Sequence, residues 1–319
     1  MHTHRIAAGL AAGLVFLSCG ASAQQKPVHI LVGLAAGGSL DVTTHLVAEK
    51  LRTSLGQPVV VDNRAGASGL IAIDALKSAP PDGTVLLAAA SGGITLLPNT
   101  YKKPRFDPTR DFIPVAQLAK IDFVLAVNPA VPAKNAAEFA AAARADAKYR
   151  LIGSAPGTST HLLAIKFAHA ANFAAVHVAY KGNAQLLADL AGGQIAAAFP
   201  AQGEVMELAH AGKVRMLAVA GARRSAVLPD VPTLKESGFD VEGDAWFGLF
   251  APPGTPPSVV ARLEKATLDA VGSPELRERL LHAGIEAAGL PTREFAARIA
   301  SEYAQMGREL RASGYHFQD

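Results

Sequence analysis

The stretch "LVGLAAGGSLD" at residues 31–41 decides the fold, because in it an apolar run ends in small residues and leads towards a helix. Its glycines permit positive φ and the close approach of another group. A glycine-rich turn that opens a helix directs free backbone N–H groups at one point, which favours an anion. We therefore expect a strand, a turn and a helix, with the candidate binding residues Ala36, Gly37, Gly38, Ser39 and Asp41.

Short β-branched runs alternate with amphipathic segments along the chain that follows. Strands are predicted at 28–34, 58–63 and 84–91, with helices at 41–55 and 69–79 between them. This βαβαβ order predicts a parallel sheet with helices on both faces.

The middle of the chain repeats this arrangement. Strands are predicted at 123–129, 149–155, 174–180, 194–199, 214–221 and 245–252, and helices at 136–147, 161–171, 183–191, 256–271, 274–283 and 292–312. Two α/β units without a flexible join predict two lobes that share crossing strands, near 123–128 and 217–225. Residues 24–122 with 226–319 would form lobe 1, and 123–225 would form lobe 2.

The first 23 residues are typical of an export signal. A basic start with Arg5 precedes the apolar run "IAAGLAAGLVFL", and "ASA" at 21–23 is a small-residue cleavage pattern. We expect cleavage after Ala23 and a periplasmic location. A first core helix and a lipid-attached Cys19 are the alternatives, although "FLS" fits a lipid site poorly.

Composition excludes several classes of function. The net charge is only +3 and no basic stripe with interleaved aromatics is present, so no nucleic-acid partner is expected. No later apolar run is long enough to span a membrane. Cleavage removes the one cysteine, and the ten histidines show no metal-binding spacing beyond the cleaved start, so no metal site is expected.

Three further loops follow predicted strands and should face the same cleft, since ligands in such folds bind beyond the carboxyl ends of the strands. Polar residues, glycines and one aromatic supply the candidates: Ser91, Gly92, Ser154, Gly157, Thr158, Ser159, Thr160, His161 and Tyr180. One hydroxyl of 158–160 would cap the next helix while the remaining N–H groups bind. For His161, a structural hydrogen bond is preferred to ligand contact, and Tyr180 could wall the pocket.

Asp41 is open to two interpretations. As a cap, its carboxylate would accept hydrogen bonds from N–H groups of the first helical turn. As a selector, it would accept a hydrogen bond from an ammonium or hydroxyl group of a ligand. Ser39 could be the cap instead, which would leave Asp41 free.

Seven motifs, taken in order, resemble the Bug-type family, the solute receptors of tripartite tricarboxylate transporters. They are "AAGGSLD" (35–41), "LGQPVVVDNRAGASG" (55–69), "PPDGTVLLAAASGG" (80–93), "SAPGTSTHL" (154–162), "AYKGNAQLLADLAGGQI" (179–195), "RMLAVAGARRSAVLPDVPTL" (215–234) and "WFGLFAPPGTP" (246–256). The resemblance covers the whole mature chain. It implies an α/β, type II-like periplasmic binding protein with a ligand cleft between two lobes and crossing strands as the hinge.

The same resemblance implies the function and partners. A monomeric receptor would capture a small carboxylate, such as an organic acid, an aromatic acid or an acidic amino acid, and deliver it to membrane permease subunits. No cofactor and no chemistry on the ligand are implied. Gly33, Leu34, His45 and "AAAFPAQ" depart from the family's usual residues, which leaves the identity of the ligand open.

Two other functions compete with this interpretation. A ligand-binding input protein for a membrane sensor would need the same closure. A periplasmic hydrolase is more remote, because no GxSxG nucleophile elbow is present and His45 has no evident orienting partner near Ser39 and Asp41.

Overall fold

A computed structural model describes residues 26–156, 158–180 and 182–312. The predicted signal segment with Cys19, and the candidate binding residue Gly157, lie outside the described residues.

Strands and helices alternate along most of the described chain. The strands are β1 Val28–Val32, β2 Val59–Asn63, β3 Val85–Ala90, β4 Ile113–Asp122, β5 Val124–Val127, β6 Leu151–Ser154, β7 Val176–Ala179, β8 Ala197–Ala198, β9 Arg215–Val219, β10 Asp244–Ala251 and β11 Glu286–Pro291. The α-helices are α1 Ser39–Leu55, α2 Leu70–Lys77, α3 Ala136–Ala145, α4 Ser159–Ala170, α5 Asn183–Ala191, α6 Gln202–His210, α7 Pro257–Gly272, α8 Pro274–His282 and α9 Thr292–Ala312. A π-helix spans Gly92–Leu96, and 3₁₀ turns span Ala67–Gly69, Leu97–Thr100 and Ala147–Arg150.

The opening stretch forms the strand, turn and helix that its sequence predicts. β1 is almost wholly buried, and α1 presents Leu46, Val47, Leu51 and Leu55 to the core beneath it. Gly56 ends the helix in the left-handed conformation, with φ +67°, which is the usual C-terminal role of glycine.

A six-stranded sheet, in the order β11-β4-β10-β3-β1-β2, forms the centre of the first lobe. The prediction of a parallel sheet is confirmed for β1 with β2 and β3. That prediction concerned only these three strands; β4, β10 and β11 extend the sheet by antiparallel pairing. The C-terminal helices α7 and α9 pack on β4, which joins both ends of the described chain in one lobe.

A five-stranded sheet, in the order β7-β6-β8-β5-β9, forms the second lobe. β6 pairs parallel with β7 and β8, whereas β5 pairs antiparallel with β8 and β9. A separate aromatic core lies against this sheet, where the rings of Phe139 and Phe167 stack with centroids 6.1 Å apart. The observed α/β architecture therefore has two lobes, each with its own sheet and core.

The chain passes between the sheets at Phe123, which separates β4 from β5, and again before β10. Residues that follow β9 stay with the second sheet, since Leu234 N–H donates to the Val219 carbonyl and Gly243 N–H donates to that of Ala220, both at 2.8 Å. These contacts favour a second crossing at 243–244. The division into lobes stays a prediction, and we propose to move its second boundary from 225 to 243.

The sequence analysis did not predict four elements: β4, α6, β11 and the helical segment 92–100. β4 has Gln117, Lys120 and Asp122 at buried positions, so it lacks the apolar pattern of the other strands. Within the described residues, no helix combines the length and apolar character needed to cross a membrane.

Candidate functional site

A cavity of about 420 Å³ lies between the two lobes. Its first-lobe wall comes from the residues after β1 and β3, from the start of β10 and from the loop before α2, and its second-lobe wall from the start of α4. Five of the predicted site residues line it: Ser91, Gly92, Thr158, Ser159 and Thr160. The other lining residues are Leu34, Ser68, Ala90, Gly93, Leu96, Leu97, Thr100, Phe123, Pro156 and Ala245.

The second-lobe wall is the N-terminus of α4. Thr158 is the N-cap: its hydroxyl donates to the Ala155 carbonyl at 2.6 Å and accepts from His161 N–H at 3.4 Å. A helix gives its first N–H groups no internal acceptor, so those of Ser159 and Thr160 stay available beside the cavity. Their positive dipole end favours an anion there.

The first-lobe wall contains the π-helix that follows β3. Ser91 is buried, and its hydroxyl accepts from the Trp246 N–H at 3.4 Å, which ties the loop to β10. Gly92 and Gly93 then begin the helix beside the cavity, and the Thr95 hydroxyl donates a hydrogen bond to the Ser91 carbonyl at 3.0 Å. Single-turn π-helices occur frequently at functional sites.

The loop before α2 is a part of the cavity that sequence reasoning missed. The sequence "DNRAGASG" is more readily interpreted as a structural turn, yet Ser68 lines the cavity. Ala67 and Ser68 have φ of +45° and +57°, which is unfavourable for residues with a side chain. Such strain concentrates at ligand-binding loops, but no sequence signal marks it here, because neither residue is a glycine.

The first candidate stretch is not brought to this cavity. Ala36, Gly37 and Gly38 are exposed and Ser39 is half-buried at the start of α1, and none of them is among the lining residues. Only Leu34, just before them, reaches it. Ligand binding by Ala36–Ser39 therefore stays a prediction.

Asp41 is buried and points back into its own loop. One carboxylate oxygen accepts from Gly37 N–H at 2.8 Å and the other from the Asn63 amide at 2.7 Å. Burial opposes ionisation, but these hydrogen bonds and nearby His45 lower the pKa of Asp41 below its ordinary value. Gly38 is the N-cap and no side chain caps it. Asp41 therefore fixes the turn before the helix. This contact is closer to the predicted role as a helix cap than to the predicted role as a ligand selector.

Ser154 and His161 each contact His177, and neither lines the cavity. Ser154 is fully buried, and its hydroxyl lies 2.9 Å from Nε2 of His177 on β7. The rings of His161 and His177 stack with centroids 3.9 Å apart. Burial, and then the neighbouring His177, lower the pKa of His161 to about 4, so that this ring is neutral at pH 7. His161 supports the start of α4 from within the second lobe.

Tyr180 packs inside the second lobe and is not among the cavity residues. Its hydroxyl donates to Asp189 at 2.8 Å, and burial with this partner raises the pKa of Tyr180 to about 12. The ring contacts the backbone of β6, where a Cβ added to Gly153 would lie 2.9 Å from it. Contact of Tyr180 with a ligand stays a prediction.

The cavity offers neutral donors. Among the described residues that line it, none is a Lys, Arg, His, Asp or Glu. Nor do the described residues contain a group of three or more His, Cys, Asp and Glu side chains arranged to hold a metal ion. The arrangement can bind an anion through hydroxyl and backbone N–H groups without a buried ion pair.

A family model, described as the tripartite tricarboxylate transporter family receptor, matches residues 43–314. The chain belongs to this family. It is 32% identical over 297 residues to the protein BugT of Bordetella pertussis, with 90% of each chain covered. This relationship confirms the resemblance to the Bug-type receptors, so the chain is a solute-binding receptor of that type.

Solved structures share the two-lobed fold. The periplasmic binding protein BugD superposes with a TM-score of 0.77 at 29% identity, covering 92% of this chain and 99% of that one. The R. palustris protein Rpa4515, solved with adipate, superposes with a TM-score of 0.81 at 29% identity and covers 92% of this chain and 99% of its own. These likenesses confirm the periplasmic binding protein fold.

Proposed function

We propose that this receptor captures a small carboxylate in the periplasm by closure of its two lobes and delivers it to a tripartite tricarboxylate-type membrane permease. The observation that carries the proposal is the cavity between the lobes, in which hydroxyl groups and the N-terminus of α4 converge without a charged side chain. A helix N-terminus contributes about 0.3–2 kcal/mol towards binding an anion. Several such donors together give useful affinity once closure excludes water.

Reversibility supports the same proposal. A receptor must release its ligand, and a site of neutral donors avoids a buried ion pair whose separation is costly. Adipate in Rpa4515 shows that a related receptor binds a carboxylate. Export by the N-terminal signal, with cleavage after Ala23, would place the protein in the periplasm.

We also propose that the protein performs no chemistry on its ligand and acts as a monomer without a cofactor. The contact that most resembles a catalytic pair is Ser154 with His177. The Ser154 side chain is fully buried outside the cavity, which denies a substrate access to its hydroxyl.

Two variants at Gly92 that are matched in size but differ in charge test the binding mode. A Cβ added there meets nothing within 4 Å, so both Gly92→Asp and Gly92→Asn fit without a steric clash. Mono- and dicarboxylates, aromatic acids, acidic amino acids and neutral sugars are screened by thermal shift, since a ligand that binds only the folded state raises its melting temperature. We expect acids alone to stabilise the wild type, Gly92→Asn to keep most of the effect and Gly92→Asp to lose it.

Stabilisation by sugars with no response to acids would overturn the proposal. Equal loss in both Gly92 variants would show that charge is unimportant at this position. Closure is measured as a fall in the radius of gyration by X-ray scattering on addition of the best acid.

The downstream partner needs a cellular experiment. Deletion of the gene should abolish uptake of the radiolabelled acid if the partner is a permease. Normal uptake with loss of the transcriptional response to that acid would favour the alternative, an input protein for a membrane sensor.

A further inference from the structure

A second, smaller cavity opens from the first, behind β3. It has a volume of about 70 Å³, and we call it the annex. Leu34, Ser68, Ala90 and Gly93 line both spaces and so form the junction between them. The annex thus extends the space in which a ligand can lie.

The annex is apolar and is formed by close backbone packing. Leu40, Ile73 and Leu87 are its buried side walls, each at most 3% exposed. Gly33 and Gly69 complete it, and a Cβ on Gly33 would lie 2.8 Å from the Cα of Gly69. Such dry, apolar cavities take up apolar groups and offer no partner to a charged one.

The main cavity also adjoins a pocket that contains acidic side chains. A polar pocket of about 220 Å³ shares Ser91 and Ser159 with it. Its lining includes the carboxylates of Glu242, Asp244 and Glu302 and one cation, Lys166.

The cations near these carboxylates already have acidic partners. Lys166 lies 3.0 Å from Glu309, Lys235 lies 2.5 Å from Glu242, and Arg298 holds Asp244 at 2.7 Å and Glu302 at 2.6 Å. A second anionic group of a ligand would therefore meet carboxylates whose cations are already engaged in this pocket, and apolar walls in the annex.

Resting on the proposed function, we propose that the receptor selects monocarboxylates that carry an apolar chain, and that the annex takes up this chain. The carboxylate lies at the N-terminus of α4, and the alkyl part enters past Leu34 and Ala90. Dicarboxylates are disfavoured because neither extension of the cavity stabilises a second negative charge.

Hexanoate and adipate are the probes, because they share a six-carbon chain and differ in the second carboxylate. Both are titrated by calorimetry into the full mature chain at neutral pH. We expect hexanoate to bind at least about tenfold more tightly than adipate, which corresponds to about 1.4 kcal/mol.

Two variants probe the annex itself. Leu34→Asn keeps the side-chain size and is made at a site already 43% exposed, so the fold should be unaffected. Ala90→Leu fills the junction. Each should weaken hexanoate by about three- to tenfold and leave adipate nearly unchanged, whereas Leu281→Asn, a control at 42% exposure in the remote helix α8, should change neither.

The outcomes separate the inference from the proposed function. Equal or tighter binding of adipate, or equal loss of both acids in the two variants, would overturn the annex as a selector while leaving carboxylate capture intact. Binding of hexanol with no binding of any acid would overturn carboxylate capture itself.

Discussion

We expect removal of the Lys120 charge from its ion pair with Asp122 to destabilise the protein by about 3–5 kcal/mol. The pair lies at the end of β4, where the chain leaves the first sheet. Lys120 Nζ is 2.9 Å from the Asp122 carboxylate, and the two side chains are 11% and 0% exposed. A Cβ on Gly221 would lie 2.3 Å from Asp122 Oδ1, so the carboxylate packs directly against the backbone of Gly221.

The size of the effect follows from burial. Lys120→Met leaves the buried Asp122 carboxylate without its partner, whereas Asp122→Asn also removes a charge that burial disfavours and should cost less. Proteins are typically stable by about 5–15 kcal/mol, so the loss in Lys120→Met is a large fraction of the total. The double variant removes both charges at nearly constant volume, and we expect it to cost much less than the sum.

The sequence contains one tryptophan, Trp246, which supplies the assay. It is fully buried and lies opposite Lys120 in the register of β10 with β4, so its fluorescence reports unfolding of this sheet. Urea unfolding is compared with that of Lys77→Met, which breaks a half-exposed pair with Asp111 and should cost at most about 1 kcal/mol. The reasoning is refuted if Lys120→Met costs no more than this control.

The pH dependence has a defined sign. Burial, opposed by the contact with Lys120, raises the pKa of Asp122 above 3.8, so the folded state binds this proton more tightly than the unfolded state. Its contribution to stability is full below pH 3.8 and is lost as the pH rises through the folded pKa. Asp122→Asn should remove that decline from the plot of unfolding free energy against pH.

Three further predictions concern the loops and α4. Gly37→Val should lose about 1–2 kcal/mol in thermal unfolding, because φ is +83°, whereas Gly38→Val, at φ −77°, should lose little; equal losses would contradict this. Thr158→Ala should cost about 1 kcal/mol with the cap of α4, and Thr158→Ser should restore most of it; failure of the rescue would exclude capping. Burial, and then His177, lower the pKa of His161 from 6.5 to about 4, so its contribution to stability is full above pH 6.5 and is lost as the pH falls towards 4. His161→Gln should therefore reduce the change of melting temperature with pH between 6.5 and 4. An unchanged dependence of melting temperature on pH would contradict this role of His161.

Buried apolar strands and strong helix signals were predictable from the sequence. β1 and β3 are apolar runs in the sequence because both faces of each strand are buried in the protein, and Gly56 marks the end of α1. β4 was not predictable, since it contains buried polar residues, of which Gln117 is satisfied by partners distant in the sequence. Gln117 donates to the Ala288 carbonyl at 2.8 Å and accepts from Arg298 at 3.0 Å.

The candidate site was predictable where function coincides with helix geometry. Thr158 to Thr160 precede a helix, and their hydroxyls and free N–H groups follow from that position. Ser68 was not predictable because its role depends on a positive φ at a residue that rarely adopts one. For Ser154 the prediction gave the end of a strand but could not give its depth, which depends on β7 and on His177 beside it.

The position of β10 has a consequence for how the chain folds over time. This strand lies between β3 and β4, although more than 120 residues of chain separate it from either of them. The first sheet therefore cannot close while a nascent chain is still shorter than about 250 residues, because its central strand has not yet emerged. Pairings that are distant in sequence slow folding, since loop closure must precede the contacts that reward it. The strands of the second lobe lie within one uninterrupted segment, so this lobe can form before the first is complete. A truncation just before β10 should therefore leave the second lobe folded and the strands of the first sheet with exposed, unpaired edges.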